Sequence, residues 1–204
     1  LAAIRLAVDS GSQTLGIVND EGSAITRQVD GTLYIHAGPE ISVASTKAFM
    51  AMLSALNLLA LHLAQVRGVM DTEELGKRLH DLRTIPRLIE ETLKQIEPQI
   101  KELSTHLLRY HHCLYLGRGI NFPIALEGAL KLKEVSYIHA EGYAAGELKH
   151  GPIALIDPLT PVFAVVTKGE TYEKMFSNLE EVKARDGKII AVATEGDENI
   201  KALA

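Results

Sequence analysis

Leu116-Gly-Arg-Gly119, followed by the run 124–152 (IALEGALKLKEVSYIHAEGYAAGELKHGP), decides how this chain folds. A short apolar run enters a glycine turn, and a helical pattern leaves it. That is the strand–turn–helix signature of an α/β unit. Along the same stretch sit Glu127, Lys131, Glu134, Glu141, Glu147, Lys149 and His150. Folding alone does not call for so many ionisable groups in a segment rich in alanine and leucine, so this is where proton-transfer chemistry is expected.

Working outward, strands are predicted at Cys113–Leu116, Val162–Thr167 and Lys188–Thr194, with a helix starting near Thr171 between the last two. Strand alternating with helix predicts a parallel sheet carrying helices on its faces. The N-terminal part reads in the same way. Leu1–Val8 has helical spacing and is closed by Asp9-Ser-Gly11, where glycine supplies a left-handed cap. Strands follow at Thr14–Val18 and Thr32–His36, then the turn His36–Glu40, then a long apolar helix from about Ser45. Ser45 and Thr46 are the predicted N-cap residues.

Between the two units, Met70–Arg109 is densely charged with a helical period. Pro86 and Pro98 interrupt it, which predicts two or three helices and not one rod. The expected organisation is therefore 1–69, a helical linker 70–109, and 110–204. A weak internal repeat supports two copies of one α/β unit: LAAIRLAVDSGSQTLGIVNDEGS near the start resembles NLEEVKARDGKIIAVATEGDEN near the end. Each reads helix, glycine turn, buried strand, acidic turn. The second copy stops at Ala204 just after its strand, so both units are expected to be incomplete.

Composition narrows the class. The core must be aliphatic, since there is no Trp and aromatics make up only 5% of the chain. A net charge of −5 argues against a nucleic-acid-binding surface. The single cysteine, Cys113, cannot form an internal disulfide and lies in an apolar strand pattern, as a buried structural thiol would. No signal peptide is evident, and a reducing cytoplasm is the expected setting. No metal-ligand spacing is present, and Gly-Arg-Gly lacks the spacing of a dinucleotide fingerprint or a P-loop. Neither metal nor cofactor is expected. Ala48–Val66 carries no formal charge and at about 1.5 Å per residue nearly spans a bilayer. Ser54, Asn57, His62 and Gln65 interrupt it, so the expectation is a helix buried in a core or a subunit interface.

Three clusters carry possible chemistry. Glu127, Lys131 and Glu134 stand at i, i+4 and i+7 and share a helix face. The plain reading is a solvated stripe of ion pairs. The competing reading draws on the preceding strand and glycine turn, because ligands of open α/β sheets bind at the carboxyl ends of strands. The second cluster is Ala145–Pro152, where His150 in a Gly-Pro loop has a side chain suited to giving and taking a proton near neutral pH. The third is Gly38–Lys47 (GPEISVASTK), a possible pocket for sugar hydroxyls or phosphate; ordinary helix capping is the alternative.

AGPEISVASTKAF, together with LGRG and ALEGALKLKEVSYIHAEGYAAGELKHGP, resembles the isomerase part of the glutamine–fructose-6-phosphate aminotransferase (glucosamine-6-phosphate synthase) family. The resemblance covers nearly the whole chain in the right order. It implies two sugar-isomerase (SIS) domains. It also implies roles: Glu134 moves the proton between C1 and C2 of the sugar phosphate, and His150 serves ring opening in the neighbouring subunit's site. Lys131 lies in the same pocket, and Val43 and Ser45 contact the sugar. Glu127 and Lys149 fit structural roles. The implied partners are fructose 6-phosphate and glucosamine 6-phosphate, a glutaminase domain of the same polypeptide, and a second subunit in a homodimer.

Measured against the family, a Ser-rich phosphate loop is expected before Leu1, and a tail lysine that forms an imine with the ketose is expected after Ala204. The chain as given is expected neither to hydrolyse glutamine nor to complete isomerisation. Ser42 stands where the family usually has Gly, and Met50 where a polar residue is common. A stand-alone SIS phosphosugar isomerase or deglycase, and a non-catalytic sugar-phosphate-sensing SIS module, are the competing readings. The presence of both Glu134 and His150 disfavours the sensor.

Overall fold

The computed structural model describes residues 1–204. They form two compact units, Leu1–Glu97 and Pro98–Ala204. Both are α/β with parallel strands. In the first, α1 (Ala2–Asp9) leads to β1 (Leu15–Val18), β2 (Gly31–Tyr34) and α2 (Lys47–Val66). β1 and β2 pair in parallel, with Leu15 opposite Gly31 and Val18 opposite Tyr34. As expected, Gly11 takes a left-handed conformation (φ 75°) beyond the end of α1.

A single helix of 36 residues, α3 (Thr72–Leu107), begins in the first unit and ends in the second. This corrects the expectation of two or three helices. Pro86 and Pro98 each forfeit one hydrogen bond, at a cost of about 3 kcal/mol. Breaking the helix there would orphan several more backbone groups on either side, and no glycine or asparagine stands nearby to cap them. Ion pairs Arg87–Glu91 (2.8 Å) and Glu90–Lys94 (2.6 Å) support the turns between the prolines. The Asp71 carboxylate starts the helix by accepting from the Glu74 N–H at 2.8 Å.

The second unit holds β3 (His112–Gly117), α4 (Asn121–Ser136), β4 (His139–Ala144), two short 3₁₀ turns (Ala145–His150 and Pro152–Leu155), β5 (Val162–Val166), α5 (Tyr172–Lys183), β6 (Ile189–Ala193) and α6 (Glu198–Leu203). The parallel sheet has the order β4-β3-β5-β6. β4 was not anticipated. Its sequence, HAEGYA, lacks the β-branched residues that mark a strand, and its pairing with β3 along the whole of β3 makes it one.

Alternation along the strands sorts the core onto two faces. Leu114, Leu116, Val162, Ala164 and Val166 join Tyr172, Met175, Leu179, Val182 and Ile200 from α5 and α6. Cys113, Ala129 and Ala140 form the other layer, with Tyr115 and Phe163 against it. The Tyr115 and Phe163 rings stack at 4.6 Å. Burial pushes the Cys113 thiol up to about 11, in keeping with a structural role.

For the apolar helix α2, expected to be buried in a core or a subunit interface, this chain does not supply the core. Only Ala48 and Ala55 are buried, while Met52, Leu56, Leu63 and Val66 are exposed. α2 is therefore not a core helix of these residues. By length and composition it is long and apolar enough to cross a membrane, with a mean hydropathy of 1.7.

Two features of the second unit carry testable consequences. At Gly117 a Cβ would lie 2.2 Å from the Asn121 carbonyl oxygen, which is backbone and has nowhere to go. Gly117→Ala is expected to lower stability by about 3 kcal/mol, as severe overpacking does, measured by denaturant unfolding. Asp197 is buried, accepts from Tyr172 Oη at 2.8 Å and caps Ile200 N at 3.2 Å. Burial works to raise its pKa, but the Tyr172 hydroxyl, the Ile200 N–H and the Lys168 ammonium outweigh it and hold the carboxyl below its ordinary value. A depressed folded-state pKa adds stability that is complete above the unfolded value, about 3.9, and is lost as pH falls through the folded one. The acid limb of the stability–pH curve below about pH 4 should therefore flatten in Asp197→Asn. An unchanged limb would remove Asp197 as its source.

Candidate active site

β3 ends in Gly117-Arg-Gly119, and Gly119 adopts φ 57° to turn the chain into α4. With strand order β4-β3-β5-β6, the connections leave β3 and β5 in opposite directions, so the reversal lies between their carboxyl ends. Asn121 Nδ2 donates to Thr167 Oγ1 there at 2.9 Å. Arg118 donates to Asn178 Oδ1 at 3.3 Å and lies against Gly146, where a Cβ would sit 2.9 Å from a guanidinium nitrogen.

The first turn of α4 does not offer the free N–H groups anticipated for an anion. Asn121 N donates to Arg118 O and Phe122 N to Gly119 O, both at 3.1 Å, and Pro123 has no N–H. Nor does the crevice hold the charged triad. Glu134 lies 13 residues beyond the start of α4, about 20 Å along its axis at 1.5 Å per residue. Proximity to a strand end therefore lends Glu134 no support.

What the fold does for the triad is partial burial. The side chains of Glu127, Lys131 and Glu134 retain only 23%, 23% and 24% of their exposure, which is not the solvated stripe of the plain reading. Ala125 and Ala129 are buried on the sheet side, whereas Leu126 and Leu130 face outward and are more exposed than the charges. Lys131 Nζ lies 2.7 Å from Glu134 Oε2 and 3.3 Å from Glu127 Oε1. The Glu134 carboxylate, seconded by Glu127, raises the Lys131 pKa above its ordinary value against the effect of burial. The ammonium is thus held charged between two carboxylates. Glu127, expected to be structural, is a member of this group.

Glu141 belongs elsewhere: it accepts from the Tyr143 hydroxyl and stands 3.2 Å from His139 Nε2. His150 ends the 3₁₀ turn Ala145–His150, is exposed, and forms no hydrogen bond or ion pair with the Lys131 group. Its neighbour Lys149 pairs with Glu181 of α5 at 2.8 Å, as a structural residue would. Leu148, fully buried, anchors the turn that presents His150.

In the first unit, Val43 and Ser45 lie on the arch between β2 and α2. Val43 is 87% exposed, and Ala44 beside it is buried. Thr46 is the N-cap by position, but neither Thr46 nor Ser45 caps through its side chain. Glu40, from the preceding turn, does so in their place: its Oε1 accepts the Ala48 N–H at 2.9 Å and the Ser45 hydroxyl at 3.5 Å. Asn19, after β1, ties down the base of the arch. It donates to Gly38 O at 2.7 Å and accepts from Ala37 N at 2.8 Å. Lys47 Nζ donates to the Pro39 carbonyl. An acidic residue a few positions before an apolar helix was the available signal for Glu40. Nothing local points to Asn19, which acts across 18 residues.

With this geometry in view, comparison with known proteins identifies the lineage. The sequence pattern of the SIS domain matches residues 1–62 and 106–204. Over 204 residues the chain is 52% identical to a protein of Thermus thermophilus named glutamine–fructose-6-phosphate aminotransferase [isomerizing], covering all of this chain and 34% of that one. A protein of the same name from Chlorobaculum tepidum is 51% identical over 203 residues and is covered to 33%. The chain thus spans about a third of the length of these curated relatives. Its structure superposes with a TM-score of 0.92 on the C-terminal domain of glucosamine-fructose-6-phosphate aminotransferase from Francisella tularensis, at 40% identity, covering 96% of this chain and 55% of that one. Two parallel-sheet units, a half-buried charged triad and a strapped arch before α2 therefore sit on a recognised scaffold: the chain belongs to the SIS domain family.

Proposed function

We propose that this chain is the isomerase portion of a glutamine–fructose-6-phosphate aminotransferase, acting on fructose 6-phosphate and ammonia drawn from glutamine to form glucosamine 6-phosphate. The observation that carries the reading is the Glu134–Lys131–Glu127 group: two carboxylates around one ammonium, three-quarters covered, on a chain half identical to proteins of that name.

The chemistry asks for what this group offers. Once ammonia has replaced the C2 oxygen of the ketose as an imine, a base must take a proton from C1 and return it to C2. A carboxylate does both in turn, first as base and then as acid. Glu134 fills that role. The Lys131 ammonium, paired with Glu134 at 2.7 Å, stabilises negative charge developing on the enol-type intermediate from the same pocket. Glu127 holds the other side of Lys131 and orients it. His150, on an exposed turn away from this group, serves ring opening from the neighbouring subunit. Val43 and Ser45 contact the sugar. The glutaminase domain belongs to the same polypeptide, the enzyme is a cytoplasmic homodimer, and neither nucleic acid nor membrane is a partner. Ser54, Asn57, His62 and Gln65 on α2 favour a protein environment for that helix over lipid.

In the full-length protein, Glu134→Gln is expected to lower the isomerisation rate by about 10³-fold, within the range for a general base, while fructose 6-phosphate binds nearly as before. Turnover close to wild type would refute the assignment. Mixing Glu134→Gln and His150→Ala subunits tests the sharing of His150. Half of randomly formed dimers are mixed, and each mixed dimer has one intact site, so activity should return to about a quarter of wild type. No recovery in verified mixed dimers would place His150 in its own subunit's site.

A further inference from the structure

We infer that Glu40 is a positioning residue that makes the arch before α2 selective for the neutral hydroxyl end of the substrate and keeps its phosphate elsewhere; this rests on the sugar-phosphate reading above. The N-terminus of a 20-residue helix is ordinarily a place where an anion is welcome, since free N–H groups and the helix dipole both favour negative charge. Here the place is taken. The Glu40 carboxylate accepts the Ala48 N–H at 2.9 Å and lies 3.5 Å from the Ser45 hydroxyl. It supplies the negative charge that the first turn of α2, which has no acidic residue, would otherwise lack.

Two consequences follow. A phosphate approaching this end of α2 meets a carboxylate and is repelled. A sugar hydroxyl is not, because Ser45, while donating its O–H to Glu40, keeps free lone pairs as acceptors. Glu40 is itself held in place. The Lys47 ammonium takes the Pro39 carbonyl next to it, and Asn19 bonds both Ala37 and Gly38. The arch is thus strapped at its base and at its crown, with Val43 presented outward and Ala44 tucked in. The start of α4 is filled as well, by turn carbonyls and Pro123. The Ala48 N–H of α2 and the Asn121 and Phe122 N–H groups of α4 are already bonded within the chain, which agrees with a phosphate held by other residues.

The test uses the full-length enzyme with fructose 6-phosphate and inorganic phosphate as probes, in Glu40→Gln and Glu40→Ala. The glutamine keeps an acceptor oxygen but loses the charge. It should leave the KM for fructose 6-phosphate within about threefold and make inorganic phosphate a several-fold better inhibitor. The alanine also loses the acceptor. It should raise KM about tenfold with kcat little changed, and speed hydrogen exchange of a peptide spanning residues 41–49 about tenfold or more. Wild-type KM and exchange in Glu40→Ala, or a glutamine variant as impaired as the alanine one, would overturn the positioning role. Unchanged phosphate inhibition in Glu40→Gln would overturn the charge argument. A wild-type enzyme that binds no fructose 6-phosphate would instead fail the functional reading, and with it the ligand-binding role of Glu40, even where the exchange data show the capping contact.

Discussion

The close approach at Gly117 is the constraint on which the second unit depends. The chain leaves β3, one of the two strands paired on both sides, and must turn at once into α4 without colliding with the Asn121 carbonyl. Only a residue without a Cβ allows it. That turn sets where α4 lies on the sheet, and the small residues Ala125, Gly128 and Ala129 let it lie close: a Cβ at Gly128 would be 2.8 Å from the Tyr115 ring. On the same helix Glu127, Lys131 and Glu134 are three-quarters covered instead of fully solvated.

A second theme is how this scaffold handles helix ends. In many α/β proteins the first turn of a helix after a strand receives an anion. Here α4 meets the need with turn carbonyls and a proline, and α2 with a carboxylate from its own preceding turn.

 That carboxylate belongs to Glu40, eight residues before the amide it caps. Both helix starts take acceptors from within the chain, so charge placement contributes to binding selectivity there.

Some of this was legible in the sequence. The short apolar run at Cys113–Leu116 and the glycine turn after it identify a buried parallel strand feeding a helix, because apolar runs and turn chemistry are local properties. The i, i+4, i+7 spacing of Glu127, Lys131 and Glu134 brings them together on any helix. β4 was not legible, since HAEGYA is a strand through its pairing with β3 and not by propensity. Nor was the continuity of α3 through Pro86 and Pro98, where the cost of new uncapped ends exceeds that of two lost hydrogen bonds. Which of core or subunit interface would cover α2 was not legible for a related reason: an apolar helix declares that it wants cover, and not whether these residues provide it.

Sequence by itself determined the strand, glycine turn and helix from Cys113 into α4, the two parallel α/β units, and which charged groups could meet along one helix face. These depend on interactions within a few residues. Tertiary structure decided how deeply the triad is covered and that Glu40 and Asn19 strap the arch carrying Val43 and Ser45. Each of these depends on which surfaces are brought into contact, and burial and long-range hydrogen bonds exist only once the chain has closed on itself.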